Sequence, residues 1–500
     1  MVIGNTPLFF SRRVEWRLLA GIECLDYMLF NSLEFFLFVI VVFGAYWSIP
    51  NRVRLQNFLI LVASYVFYGW WDWRFLFLIG GCSAVNFIAG LFLSHSKGKL
   101  MRRTILCLCF AVSLGVLCVF KYYNFFAESF ESILCMMGFK ADFATLKIVL
   151  PVGISFFTFQ ALSYMLDIAF GKIKAAKDPV QFFAFIAFFP QLVAGPIERA
   201  SNLLPQFGRR RVFSYAVAMD GLCLIAYGLF KKMVVADTLA LYVDKAYSNP
   251  GFYSSITCVI ASVFFAMQIY CDFSGYSDAA RGFAKLFGFE LMLNFNRPYM
   301  ATTFADFWRR WHISLSTWFK DYVYIPLGGS RNGRGRTLLN LWVVFLLSGL
   351  WHGASWLFVA WGGIHAVFLT CGCLKKWLMP SQAGKDNGFA RMASILMVGF
   401  FVTLAWIPFR AGSLETAKSF LGAMFALKLK TSLMALCAGM GPMTFAFCLI
   451  VACLFVISHF LPNDCRFERD RSKILFVMTC AAIIVFFGMP AGGEFIYFQF

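Results

Sequence analysis

The chain has 500 residues, of which 60% are hydrophobic and 14% are charged, and its mean hydropathy is +0.73. Soluble domains carry roughly a quarter charged residues, so this composition excludes a large soluble protein. The net charge of +19 comes from short basic loops, which argues against a nucleic-acid-binding surface and is typical of the cytoplasmic side of a membrane protein.

The first 27 residues do not fit a secretory signal peptide, because acidic and basic residues interrupt the stretch that follows Arg12 and Arg13. We expect either that Met28 is the physiological start or that residues 1–27 form a loosely held cytoplasmic extension. From residue 28 to residue 500 the polar connections are short, so we expect a single transmembrane domain.

Apolar runs along the chain repeatedly approach the roughly 20 residues that cross a bilayer. They include residues 35–49, 104–120, 212–230, 254–270, 394–407 and 443–460. We therefore predict an all-α polytopic integral membrane protein with about ten to twelve transmembrane helices or half-helices.

Sixteen cysteines are scattered through these apolar segments, with no C-x-x-C pair. A zinc site or a disulfide framework requires other spacings and a polar setting. We interpret the cysteines as small buried hydrophobes and predict no metal site.

Between residues 151 and 363 the polar residues occur in distinctive motifs and the apolar runs become irregular. We interpret this part of the chain as a catalytic or transport core. Within it, "YCDFSGYSD" predicts that Asp272 and Asp278 lie at the end of a membrane span. These carboxylates either pair with Arg281 or Arg297 or line an acceptor entrance, and we favour the pairing.

Residues 304–329 hold too many charges to cross lipid, yet aromatic and aliphatic residues recur there at the spacing of one helix face: Trp308, Trp311, Leu315, Trp318 and Tyr322. Thr303 followed by Asp306 has the spacing of a capping box. We predict an amphipathic helix that lies along or dips into the membrane, with His312 near the edge of its apolar face.

The apolar stretch at residues 337–374 is 38 residues long, about 57 Å as one helix, whereas the hydrocarbon layer is about 30 Å thick. We predict breaks at Ser348-Gly349 and at Gly353 in "SGLWHGASW", with His352 near the break. Basic loops flank the stretch, so its two ends should share one side of the membrane. An ionisable group at such a depth is a candidate functional residue.

For His95, His365 and His459 we keep the ordinary interpretation of packed core or interface residues. Haem ligation is the main alternative for the histidines, but His352 and His365 lie 13 positions apart and would face different sides of a straight helix.

Several segments carry a resemblance to a known family. They are "MLFNSLEFF" (28–36), "LPVGISFFTFQALSYMLD" (150–167), "FFPQLVAGPIER" (188–199), "QIYCDFSGYSDAARG" (268–282), "NFNRPY" (294–299), "FWRRWHISLSTWFKDYVYIPLGG" (307–329), "SGLWHGASWLFVAWG" (348–362) and "FIYFQF" (495–500). Over residues 28–500 the sequence resembles the membrane-bound O-acyltransferases, and within them the bacterial branch typified by alginate O-acetylase. Residues 1–27 precede the family's usual start.

The resemblance implies helices around a central acyl-transfer tunnel in the bacterial inner membrane. It implies no bound cofactor and a cytoplasmic thioester donor, commonly acetyl-CoA. The acyl group, expected to be acetyl, would pass to an exported polysaccharide with help from a periplasmic SGNH-like or related acetyltransferase. The family's two signature histidines match His312 and His352, and His352 takes the catalytic role.

On this basis we expect His352 to deprotonate an acceptor hydroxyl and His312 to polarise the thioester carbonyl or orient the acceptor. Weaker candidates for substrate binding are Arg199, Asp272, Asp278, Asp306, Trp308, Arg309, Ser348 and Ser355. Arg199 and the basic loop at residues 331–336 would attract donor phosphates, although ordinary membrane topology also explains the loop.

Two other functions stay open from the sequence. D-alanyl transfer to teichoic-acid-like polymers is the nearest alternative within the enzyme class. A polytopic transporter with buried histidines is the alternative from another class, and it predicts inverted repeats, of which the sequence shows no second copy.

Overall fold

The computed structural model describes residues 28–139, 143, 145–146, 148–193, 195–379, 388–428, 432–460, 470–489 and 495–496. The predictions for residues 1–27, including the choice of start, lie outside these ranges.

The described part of the chain is built from helices and loops and contains no β-strand. In chain order the α-helices are α1 Leu33–Trp47, α2 Val53–Gly69, α3 Arg74–His95, α4 Lys99–Leu117, α5 Tyr123–Met136, α6 Ile154–Ala169, α7 Pro179–Ile186, α8 Phe189–Leu192, α9 Ala200–Phe207, α10 Tyr215–Leu229, α11 Asp237–Ser248, α12 Ser255–Leu286, α13 Phe304–Arg310, α14 Ile313–Phe319, α15 Arg334–His352, α16 Trp356–Leu378, α17 Gly388–Arg410, α18 Leu414–Phe425, α19 Leu433–Leu436, α20 Pro442–Phe460 and α21 Asp470–Phe487.

Within the described ranges, five helical segments are long and apolar enough to cross a bilayer: Arg74–His95, Lys99–Met136, Ser255–Leu286, Trp356–Leu378 and Gly388–Arg410. Shorter apolar helices accompany them, such as α1, α2 and α6. All the apolar runs identified in the sequence fall largely within helices. The predicted all-α polytopic membrane fold is confirmed, while a continuous tunnel through it stays a prediction.

The long helix α12 is mostly buried, and two glycine pairs bring it against α10. A Cβ atom on Gly228 would stand 2.5 Å from the carbonyl oxygen of Gly275, and one on Gly282 would stand 2.5 Å from that of Gly221. Small residues at such contacts let two helix backbones approach closely in a membrane protein. The contact fixes the helix that carries Asp272, Phe273 and Ser277.

Short π-helical turns lie between two α-helices at Cys118–Tyr122 and at Phe230–Ala236, and a third ends a helical segment at Lys320–Tyr324. A π turn inserts one extra residue into a helix and is frequent at functional sites. Each of these turns carries residues that form polar contacts within the protein: Lys121 and Tyr122 in the first, Lys231 and Lys232 in the second, Asp321 and Tyr322 in the third.

The second π turn forms a buried ion cluster with α11 and α12. Lys232 Nζ lies 2.7 Å from carboxylate oxygens of both Asp237 and Asp272, and Lys231 pairs with Asp278. Buried charges need such partners, because an unpaired charge in a low-dielectric interior is costly. The favoured interpretation of Asp272 and Asp278 as pairing residues thus agrees with the structure.

The predicted partners and position of these carboxylates were partly wrong. Asp278 does contact Arg281, at 3.4 Å, but Asp272 pairs with Lys232 and accepts a hydrogen bond from the backbone N–H of Ile496. Both lie within α12 and not at its end, because the helix continues for several turns beyond the apolar run and is mostly buried there.

The cysteines only partly fit the prediction of small buried residues. Within the described residues all are free thiols, but Cys107, Cys118, Cys135, Cys371 and Cys453 are exposed. Their helices are apolar, so these side chains face outward on surfaces that suit lipid. Among the described residues no group of histidine, cysteine or acidic side chains is arranged to hold a metal ion.

Candidate active site

His312 lies at a break between two helices. Its backbone takes the left-handed conformation, with φ 42° and ψ 54°, after α13 ends and before α14 begins. Its side chain is fully buried. The prediction of one continuous amphipathic helix over residues 304–329 is therefore wrong. The predicted cap at its start is confirmed, since Thr303 accepts a hydrogen bond from the backbone N–H of Asp306.

The break is stabilised by Asn294, from the "NFNRPY" segment. The Asn294 carbonyl oxygen accepts from the backbone N–H of Ile313 at 2.9 Å. The Asn294 Oδ1 lies 2.8 Å from Ser314 Oγ and 3.1 Å from His312 Nδ1, while its Nδ2 donates to Ser277 Oγ on α12 at 3.1 Å. Because Nδ2 is the donor to Ser277, Oδ1 accepts from Ser314 and from His312. This arrangement favours the His312 tautomer protonated on Nδ1.

His352 is the last residue of α15, and the chain turns sharply after it. Gly353 is extended, and Ser355 begins α16 by accepting a hydrogen bond from the backbone N–H of Leu357. The predicted break at Gly353 is confirmed. The outer ends of the two helices lie close together, with the Arg334 guanidinium 5.5 Å from the centroid of the Trp377 ring, and the side of the membrane that they share stays a prediction.

The second predicted break, at Ser348-Gly349, is wrong, because both residues lie within α15. Gly349 instead allows the two helices of the hairpin to touch. A Cβ atom on Gly349 would collide with the Phe358 carbonyl, and one on Gly362 would collide with the Phe345 carbonyl. This close packing holds the turn that carries His352.

Aromatic side chains surround the two histidines. The ring of His352 lies 5.1 Å from that of Trp351, 5.0 Å from that of Trp361 and 5.5 Å from that of Phe409, measured between ring centroids. The ring of His312 lies 4.7 Å from that of Phe273. The environment is apolar, so a charge that develops there during a reaction interacts more strongly with nearby charges and dipoles than it would in water.

The structure brings the two predicted histidines together, with their ring centroids 6.4 Å apart. His352 also lines a pocket of about 70 Å³, together with Lys121, residues 150–156, Val193 and Trp351. His312 is not among the described residues that line this pocket. His352 is therefore the one of the two histidines that borders this pocket, although both of its ring nitrogens are themselves buried.

Lys121 and Tyr122 approach His352 from the first π turn. Lys121 Nζ donates to the carbonyl oxygens of Trp351, at 2.8 Å, and His352, at 3.1 Å. The Tyr122 hydroxyl donates to the carbonyl oxygen of Leu350 at 3.0 Å. These bonds satisfy carbonyls of the last turn of α15, which lack partners within the helix.

The predicted substrate-binding residues lie at several places. Arg199 forms an ion pair with Asp321, at 3.1 Å, and stacks over Tyr322, so its guanidinium is already engaged by the protein. Asp306 pairs with Arg310 at 3.0 Å, and Arg309 Nε donates a hydrogen bond to the carbonyl oxygen of Ala305 in its own helix.

The other predicted residues are mostly explained by the fold. Trp308 is buried and its Nε1 donates to Nδ1 of His365 at 3.3 Å. Ser348 is buried on α15, and Ser355 caps α16. Nothing in these contacts tests substrate binding by any of them, and that role stays a prediction.

The remaining histidines fit their ordinary interpretation in part. His365 and His459 are buried among aromatic rings, whereas His95 is exposed and contacts the carbonyl oxygen of Leu91 in its own helix. Residues 352–365 do not form the straight helix that was assumed when haem ligation was judged. His352 and His365 lie on different helices, with the Trp361 ring about 5 Å from each.

Sequence reasoning missed Asn294 and Lys121 as parts of this site. Asn294 lies in a segment that had been recognised as a motif, but no pattern assigned it a role. Lys121 directly follows the apolar run at residues 104–120, and an ionisable residue at such a place is itself a signal of function.

Comparisons with known proteins show the family of this chain. The family model described as "MBOAT, membrane-bound O-acyltransferase family" matches residues 174–406, which include both histidines. A probable alginate O-acetylase AlgI from Pseudomonas putida is 34% identical over 502 residues, covering 95% of this chain and all of that protein.

Two relatives with other names also match. A peptidoglycan O-acetyltransferase from Helicobacter pylori is 35% identical over 80% of this chain and 80% of its own length. A teichoic acid D-alanyltransferase from Bacillus subtilis is 25% identical over 52% of this chain and 68% of its own length. The chain belongs to the membrane-bound O-acyltransferase family and is a multi-pass membrane O-acyltransferase.

Proposed function

We propose that this enzyme takes an acetyl group from a cytoplasmic thioester donor, acetyl-CoA or a similar acyl thioester, and passes it towards hydroxyl groups of an exported polysaccharide. The observation that carries the proposal is the position of His352, which lines a pocket at a turn between two helices and lies 6.4 Å from His312. The names of the alginate and peptidoglycan O-acetylating relatives support a glycan as the final acceptor.

In the proposed mechanism, His352 acts as the general base. It takes the proton of the acceptor hydroxyl, and the hydroxyl oxygen attacks the thioester carbonyl carbon to form the new C–O bond. The C–S bond then breaks, and the departing thiolate receives the proton that His352 had accepted. No electrons enter or leave, and the products are an ester and a free thiol.

His312 acts from behind His352 in this proposal. Its ring is fixed by Asn294, and it orients the reacting groups through the aromatic cluster that both rings share. The expectation that His312 itself polarises the thioester carbonyl has less support, because His312 does not line the described pocket.

The resemblance to the alginate branch supports a second step outside the membrane. We propose that a periplasmic acetyltransferase of the SGNH-like or a related kind receives the acetyl group and passes it to the polysaccharide. In this proposal the chain lies in the inner membrane of a bacterium and takes its donor from the cytoplasmic side.

The test uses the purified full chain in lipid nanodiscs with acetyl-CoA labelled in the acetyl group, and it measures release of free CoA and transfer of label to an added polysaccharide or partner protein. His352→Ala should lower the rate by about 100-fold or more, since general-base catalysis contributes about 10²–10⁴-fold. His95→Ala is the matched control, because His95 is exposed at the end of α3 and should leave the rate unchanged.

The proposal fails if His352→Ala retains the wild-type rate while binding and folding are intact. The donor that the enzyme prefers distinguishes acetyl transfer from D-alanyl transfer. Preferential use of a D-alanyl thioester over acetyl-CoA would favour D-alanyl transfer. The lower identity and shorter match of the teichoic acid D-alanyltransferase give this alternative less support.

A further inference from the structure

Lys121 is the charged side chain that shares the described pocket with His352. It lies on the π turn Cys118–Tyr122, within the long apolar helical segment Lys99–Met136, and lines the pocket together with residues 150–156. A charged side chain at such a place in a membrane helix is expensive to retain unless it has partners or a function.

Two of its three N–H groups are used by the fold. They donate to the carbonyl oxygens of Trp351 and His352, at the negative end of the α15 dipole. An ammonium group carries three donors, so one donor is not used by these two bonds, on a side chain that lines the pocket. The same two bonds set the distance between the ammonium group and the turn that carries His352.

Acyl transfer needs such a donor. When a hydroxyl oxygen attacks a thioester, negative charge builds up on the former carbonyl oxygen, and fixed donors in a dry site stabilise that charge. His312 does not line the pocket, and its Nδ1 is held by Asn294. Tyr122 faces the carbonyl oxygen of Leu350 and is uncharged.

We propose that Lys121 is a second catalytic residue, whose ammonium group donates a hydrogen bond to the thioester carbonyl oxygen during acyl transfer. This inference rests on the proposed function of His352. The oxygen gains the electron pair of the C=O bond as the acceptor attacks, Lys121 stabilises it without giving up its proton, and the pair returns as the C–S bond breaks. His352 carries the proton from acceptor to thiolate, as above.

The test compares three variants of the full chain in nanodiscs, with labelled acetyl-CoA as the probe. Lys121→Met keeps the length of the side chain and removes the charge. Lys121→Arg keeps the charge and its donors. Tyr122→Phe is the matched control, because it removes a hydrogen bond to the neighbouring carbonyl of the same helix turn and leaves the cation in place.

We expect Lys121→Met to lower kcat by about 100-fold, as removal of one oxyanion donor does in other enzymes, with KM for acetyl-CoA changed less than kcat. Lys121→Arg should recover a substantial part of that loss, and Tyr122→Phe should stay close to wild type in kcat. Thermal unfolding of all variants is followed in parallel, so that a loss of folding is distinguished from a loss of catalysis.

The inference is overturned if Lys121→Met and Tyr122→Phe lower kcat equally, which indicates a structural cap only, or if Lys121→Met raises KM alone. If Lys121→Met does not fold, Lys121→Gln and Lys121→Arg decide the question, and equal kcat in these two variants overturns the inference. His352→Ala is measured in the same assay. If His352→Ala is inactive while Lys121→Met keeps full activity, only the role of Lys121 is rejected. An active His352→Ala variant rejects both proposals.

Discussion

The ring centroids of His312 and His352 lie 6.4 Å apart, although the two residues are 40 positions apart in the sequence and sit at two separate helix breaks. The ring of Trp351 contacts both, at 5.9 Å from His312 and 5.1 Å from His352. Because the two helix breaks lie close together, two ionisable side chains lie beside each other within the apolar interior of the protein.

If the two histidines serve a single chemical step, their effects should not add. We expect His312→Ala and His352→Ala each to lower kcat, and the double variant to be no slower than the slower single variant within about threefold, since residues acting as a unit are strongly non-additive. Rates of CoA release in nanodiscs measure this. Losses that multiply in the double variant would show that the two rings act independently.

Asn294 should matter through the orientation of His312. Asn294→Ala removes the contact to His312 Nδ1 and the link to Ser277, so we expect a fall in kcat of about 10- to 100-fold, because small misplacements of catalytic groups are costly. Asn86→Ala is the matched control: Asn86 is equally buried and hydrogen-bonded, to Ser113, on α3. Equal kcat in the two variants would contradict an orienting role.

The glycine contact between α15 and α16 gives a prediction on stability. Gly349→Ala places a methyl group against the Phe358 carbonyl, so the helices must separate, and we expect a cost of about 1–3 kcal/mol. Gly363→Ala on the same hairpin meets its nearest neighbour, Leu346, only at 3.8 Å and should be tolerated. Thermal unfolding in one detergent compares the two, and equal midpoints would argue against the close contact.

The buried ion cluster should be sensitive to the loss of one partner. Lys232→Met leaves Asp237 and Asp272 buried without their shared cation, and we expect a loss of about 3–5 kcal/mol in stability. Lys245→Met, on the neighbouring helix α11, removes an exposed lysine and serves as the control. The yield of monodisperse protein and its unfolding midpoint are the readouts, and an unchanged Lys232→Met variant would contradict the prediction.

The sequence predicted the parts of the fold that follow from composition and local spacing. The apolar runs fall in helices, the cap at Thr303 is present, and the glycine after His352 ends its helix. These features depend on hydrophobic length and on short-range hydrogen bonds, which can be recognised along one stretch of chain. The resemblance to the family singled out the two histidines, and the structure places their ring centroids 6.4 Å apart.

Features that depend on contacts between distant segments were not predicted. The helical spacing of residues 308–322 gave no sign of the break at His312, because the contacts that stabilise the break come from Asn294, 18 positions earlier. Asp272 was expected to pair with an arginine, and the lysine that pairs with it lies on another helix. Gly349 looked like a helix breaker, but its role depends on the carbonyl of Phe358 across the hairpin.

The π turn at Cys118–Tyr122 also has a consequence for how this sequence can vary. A residue added to or removed from a helix rotates the rest of that helix by about 100° about its axis. Deletion of a single residue in this turn would therefore rotate the side chains after the turn out of alignment with those before it. Insertions and deletions should therefore be tolerated far less here than point substitutions of the outward-facing residues. Related chains that keep a lysine at this place should also keep the length of the turn unchanged.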